Sequence, residues 1–143
     1  MGSRSISEFD EAVALSESLD WLNVEHWHLV QENPGSRDKD GNMKWGRIMK
    51  LKKQGWKKGV ADYMVYLSSM QSKCKKGVIL FIELKKRRTR KRDGEYKALS
   101  SDGINIAPEQ QVFLSKINTV GNVEGQVCFG ADEAIAFVKK FMK

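Results

Sequence analysis

The chain has 143 residues, 41% of them hydrophobic and 30% charged, with a formal net charge of +7. That length suits one domain with a real core, and that composition excludes general disorder. The longest apolar run, Val78–Ile82, is too short to cross a bilayer, and the amino end lacks a signal-peptide pattern, so no membrane role is expected.

Ser7, followed by Glu8, Phe9, Asp10 and Glu11, opens a capped helix, with Ser7 as N-cap and Asp10 three residues later. Phe9, Val13, Leu15, Leu19 and Leu22 supply its expected apolar face. The segment EHWHLVQ alternates as a short strand, and ENPGSRDKDGN is a loop on turn chemistry. MKWGRIMKLKKQG reads as a basic helix ended by Gly55. GVADYMVYL and GVILFIELK are β-rich runs joined by the polar SSMQSKCKKG, and KRRTRKRDGEYKALSSDGINIA is expected to be a long exposed loop. PEQQVFLSKINTVG then places proline at the first helical position and glycine past the end. GQVCFG is a short strand, and ADEAIAFVKKFMK is an amphipathic helix. The order α-β-α-β-β-α-β-α predicts an α/β fold, a small mixed sheet flanked by helices, in a single domain over 1–143.

Charge is unevenly spread. Between Arg37 and Arg92, 19 Lys and Arg stand against four acids, net +15; the remainder carries six basic and 14 acidic residues, net −8. Such asymmetry points to a polyanionic partner, because Lys and Arg bind phosphates irrespective of base sequence. Lys50, Lys52, Lys53, Lys57 and Lys58, with Lys86, Arg87, Arg88, Arg90, Lys91 and Arg92, are the candidate phosphate contacts. Cys74 and Cys128 lie far apart without a CxxC motif, so free thiols in a reducing cytoplasm are expected.

The candidate site lies at a strand end. Alternate strand residues share a face, so Ile79, Phe81, Glu83 and Lys85 point one way and Val78, Leu80, Ile82 and Leu84 the other. Placing Asp62 opposite Glu83 in an antiparallel pair also sets Leu67 opposite Val78, and leaves Ser68–Gly77 as the connecting loop. Opposed Cβ atoms lie roughly 4.5–5.5 Å apart, where two carboxylates repel unless one is protonated or a cation sits between them. A hard divalent ion suits such a notch, since Mg²⁺ needs only one or two protein carboxylates beside water and phosphate. Taken alone, Glu-x-Lys is more simply a surface ion pair; Asp62 at the start of the neighbouring strand is what favours a site.

Three motifs carry a resemblance over roughly residues 7–140. They are Gly59-Val60-Ala61-Asp62, then Glu83-Leu84-Lys85, then Ala107-Pro108-Glu109-Gln110. Together they resemble the virus-type replication-repair nuclease (VRR-NUC) group of the PD-(D/E)xK superfamily, although Ala61 and Ala107 replace that group's proline and serine. The resemblance implies a restriction-endonuclease-like fold and a Mg²⁺- or Mn²⁺-dependent DNA endonuclease. Asp62, Glu83 and the Leu84 carbonyl would hold the metal, which generates hydroxide and neutralises phosphate charge. Lys85 would orient water or stabilise the transition state, and Gln110 matches a polar active-site position. An acid from the first helix, Glu8 or Glu11, is also implied, and Asn33 corresponds to a loop near the site. Structure-selective cleavage, of the Holliday-junction kind, by a homodimer is implied as well.

Other features read more simply. His26 and His28 share a strand face but lack a third ligand at useful spacing, so packing or exposure accounts for them. Trp45 and Trp56 bracket the basic helix, a spacing that suits stacking on unpaired bases, although core packing explains at least one. The competing reading of the whole chain is a catalytically silent DNA-binding module on the same fold, and cleavage of RNA is a third.

Overall fold

The computed structural model describes residues 6–29, 39–41, 45–54, 59–88, 92–93 and 106–143, apart from the side chains of 45, 47, 48 and 51. The elements are α1 (Glu8–Trp21), β1 (Glu25–His28), α2 (Trp45–Lys53), β2 (Tyr63–Leu67), β3 (Val78–Lys85), α3 (Pro108–Ile117), β4 (Val123–Phe129) and α4 (Ala131–Lys139). They follow the expected order. Gly55 and most of the predicted basic loop lie outside the described residues.

The strands form one sheet in the order β1-β2-β3-β4, antiparallel at the first two junctions and parallel at β3-β4. β2 and β3 pair with Leu67 opposite Val78 and Tyr63 opposite Ile82, the expected register. The parallel pair requires a crossover, and α3 lies within it. This mixed sheet with flanking helices is the α/β architecture expected from the sequence.

The two faces of β3 meet different layers. Val78, Leu80, Ile82 and Leu84 are buried in one cluster with Leu15 and Leu19 of α1 and Ala134, Phe137 and Val138 of α4. On the other face Phe81 meets Phe113 of α3 edge-on, with centroids 5.3 Å apart. Gly125 of β4 lets α3 come close, since a Cβ there would lie 2.6 Å from side-chain atoms of both Leu114 and Ile117. Among the described residues no helix is long and apolar enough to cross a membrane. Cys74 is exposed, Cys128 is buried, and both are free thiols.

Three local expectations shift. The Ser7–Asp10 capping box forms, but α1 buries Glu11, Leu15 and Leu19, while Phe9 is 75% exposed. The buried stripe therefore follows an i, i+4, i+8 line on which an acid occupies one apolar position. α3 ends at Ile117 with Asn118 as its cap, before the glycine expected to stop it. The Asn118 side chain is bound instead to the backbone of Gly125, whose N–H donates to Oδ1 at 2.7 Å. β4 begins two residues earlier than GQVCFG suggests, because it pairs with β3 from Ile79↔Val123 to Lys85↔Phe129.

Candidate metal and phosphate site

Asp62 sits one residue before β2, where the register would carry it opposite Glu83. Its backbone carbonyl accepts from Leu29 N–H at 2.7 Å, and its Oδ2 accepts from Leu84 N–H at 2.9 Å. The carboxylate thus completes the β3 ladder where β2 has ended. A strand residue's N–H and C=O point to the same edge, so the Leu84 carbonyl is directed to the edge on which Asp62 stands.

Glu83 is 3% exposed. Its Oε1 accepts from Gln110 Nε2 at 2.6 Å and faces Lys85 Nζ at 3.3 Å. Among the described residues its Oε2 is buried with no hydrogen-bond partner. Gln110 is aligned in turn by its own Oε1, which accepts from Ala107 N–H at 3.2 Å. Ala107 has no side-chain oxygen for an N-cap, and Gln110 supplies the back-bond from the third position of α3.

The start of α3 reaches Glu83 because of Gly59. That residue has φ +98°, and a Cβ on it would lie 2.6–2.8 Å from the backbone C, the carbonyl O and the Cβ of Glu109. The motif ending in Asp62 therefore contains a glycine for two reasons, a left-handed backbone and direct contact with the first turn of α3. Sequence reading registers Gly59 only as a motif letter. The close approach it permits is invisible without α3.

Burial is the largest cause of the shifted carboxyls. It pushes Glu83 up to about 6, and the Asp62 charge adds to this against the opposing pull of Lys85 and Gln110. Burial also raises Asp62, opposed by the Leu84 N–H, by the charges of Lys85 and His28, and by a hydrogen bond with the Glu83 carboxyl, which donates when it holds its proton. A hard divalent cation relieves both costs at once. The donor set fits Mg²⁺ or Mn²⁺: two carboxylates, one carbonyl, and an orphaned buried carboxylate oxygen among them. Among the described residues no three or more His, Cys, Asp or Glu side chains gather into a metal cluster. Such a small protein share suits an ion that keeps water and substrate phosphate as ligands.

The structure thus brings Asp62, Glu83, Lys85 and Gln110 together, and not the acids of α1. Glu8 is exposed in the first turn. Glu11 lies in the α1/α4 layer, bound to Arg87 Nε and to Ala131 N–H, whereas Glu83 lies on the α3 face. Lys50, Lys52 and Lys53 are exposed on α2, and Lys86 and Arg92 are exposed beyond β3. Arg87 is taken up by Glu11, and Arg88 by the Phe129 ring and Glu133. Asn33, Trp56, Lys57, Lys58, Arg90, Lys91 and the Trp45 side chain lie outside the described residues. His26 packs through Ser16 Oγ at 2.9 Å, and His28 stacks on Tyr63 with centroids 4.7 Å apart.

No protein-family model matches the chain, and no curated protein matches it significantly. Among solved structures, one described as "VRR_NUC domain protein" is similar, at TM-score 0.49 and 14% identity, covering 99% of this chain and 90% of that one. So slight a likeness does not assign a family.

Proposed function

We propose that this chain is a divalent-metal-dependent phosphodiesterase acting on DNA. The observation that carries the proposal is Glu83 Oε2, a buried carboxylate oxygen without a donor among the described residues, in a side chain whose proton affinity is raised by burial first and by the Asp62 charge second. An acidic pair left this way in a folded core costs stability, and a bound cation offsets that cost. Asp62, Glu83 and the Leu84 carbonyl would hold it.

When bound, Mg²⁺ or Mn²⁺ supplies Lewis-acid charge for phosphate and acidifies water. The protein's own groups do the rest. Gln110 holds Glu83 in one rotamer by donating to Oε1. Lys85 gives one of its three N–H groups to the Glu83 ion pair and directs the others to a phosphate oxygen or the attacking water. The exposed lysines of α2 lower the electrostatic cost of bringing a polyanion to the site. Branched DNA and a two-fold dimer extend the same proposal, since a four-way junction offers equivalent strands to two equivalent sites.

Cleavage of linear and branched DNA, with matched RNA in parallel, tests this reading. Wild type is expected to cut DNA with Mg²⁺ or Mn²⁺. Asp62→Ala and Lys85→Ala are expected to lower the single-turnover rate by roughly 10²–10³-fold while still binding. Binding without cleavage by wild type would select the silent DNA-binding module instead.

A further inference from the structure

Glu11 is a fully buried carboxylate on the stripe that α1 shares with Leu15 and Leu19. A charge in that position persists only when its oxygens are paired. Both are. Oε1 accepts from Arg87 Nε, and Oε2 accepts from Ala131 N–H at 2.7 Å. Burial pushes the Glu11 carboxyl up, and the bonds from Arg87 and Ala131 outweigh it, so the group lies below the usual carboxylate range.

Those two partners flank Lys85. Arg87 follows Lys85 by two residues, and Ala131 follows Gly130, whose N–H donates to the Lys85 carbonyl at 2.9 Å. A circuit closes: from Glu11 to Arg87, back along the chain to Lys85, across to Gly130, on to Ala131, and again to Glu11. Gly130 permits the closure. Its φ is +97°, and a Cβ there would lie 2.9 Å from Arg87 Cβ and 3.3 Å from Glu11 Oε2. Arg88 adds a strut, with its guanidinium carbon 4.5 Å from the Phe129 ring centroid and its Nε 3.7 Å from Glu133 Oε2. The chain leaving β3 is thereby fastened to the α1/α4 layer while the Lys85 ammonium stands on Glu83 on the other face.

We propose that Glu11 is a positioning residue for Lys85, fixing the end of β3 from the far side of the sheet through Arg87 and the Gly130–Ala131 backbone. This inference rests on the phosphodiesterase reading for its consequence in catalysis. An ammonium aimed at a reacting phosphate is sensitive to its anchor, since a displacement of about 1 Å can cost about 10²-fold in rate. The assignment also pairs Arg87, one of the candidate phosphate contacts, with an internal acid.

Glu11→Gln keeps the size of the side chain and an acceptor for Ala131, but takes away the charge that holds Arg87. Single-turnover cleavage at saturating DNA would be compared in wild type, Glu11→Gln, Lys85→Ala and the double variant, with DNA affinity measured separately without metal. Glu11→Gln is expected to slow cleavage about tenfold or more, with affinity unchanged within about twofold, and to add nothing in the Lys85→Ala background. A full further loss in the double variant would mean a general structural role and overturn the proposal.

Amide hydrogen exchange gives a reading independent of activity. The Gly130 N–H is expected to exchange at least about tenfold faster in Glu11→Gln, while the Leu80 and Ile82 amides keep their rates. Unchanged exchange at Gly130 would overturn the clamp. Should Glu11→Gln fail to fold, Arg87→Ala breaks the same ion pair from its more exposed end, with the same expected and contrary outcomes. If wild type cuts no nucleic acid, the phosphodiesterase reading fails, and exchange at Gly130 still decides whether Glu11 fixes the Lys85 strand end.

Discussion

Two carboxylates at the end of one strand pair leave a signature in the pH dependence of stability. Glu83 holds its proton up to about pH 6, against an ordinary value of 4.5, so the folded state binds the proton more tightly than the unfolded chain does. Stability is therefore favoured below the unfolded value and lost as pH rises through about 6. The metal-free protein should therefore lose stability across that window through this group. Denaturant unfolding with chelator at acid and neutral pH should show a larger loss in wild type than in Glu83→Gln, which keeps only the part due to buried Asp62; equal pH profiles would contradict it. Asp62, Glu83 and Lys85 are legible in the sequence because charges in apolar strands stand out and the strand period assigns their face. The role of Glu11 is not legible there. A buried acid on a helix becomes intelligible only through Arg87, 76 positions away.

Elements set the distances within the site. The first turn of α3 lies against Gly59, and Gln110 reaches Glu83 only in that seat. Gly59→Ala adds a methyl group where Glu109 backbone already stands, at a φ that disfavours any side chain. It is expected to destabilise the fold by about 1–3 kcal/mol through overpacking and strain. It should also slow cleavage about tenfold or more by withdrawing the Gln110 amide. Thermal unfolding and single-turnover rates check both, and a variant as stable and as fast as wild type would count against this account of α3. Element order, the β2–β3 register and the Ser7 cap follow from periodicity and capping chemistry. The buried face of α1 and the length of β4 do not, because each is decided by a distant partner: the α4 layer in one case, the full run of β3 in the other.

At the scale of the molecule, charge among the described residues divides into a fastening part and a presenting part. Arg87 and Arg88 are engaged by Glu11, Glu133 and Phe129, while Lys50, Lys52 and Lys53 are exposed on α2. Replacing those three lysines by alanine is expected to weaken DNA binding for any sequence and to flatten the salt dependence, by up to about 0.9 for each phosphate no longer neutralised. Replacing Arg88 should leave that slope unchanged, and filter binding over a salt series distinguishes the two. A basic run in a sequence counts charges without showing which are internally paired. Metal-dependent cleavage requires the Asp62–Glu83 notch to hold a divalent ion, and calorimetric titration of the protein with Mn²⁺ at neutral pH tests this most directly. Saturable binding is expected in wild type and should disappear in both Asp62→Asn and Glu83→Gln; equal heats in all three proteins, or none in any, would contradict a metal site there.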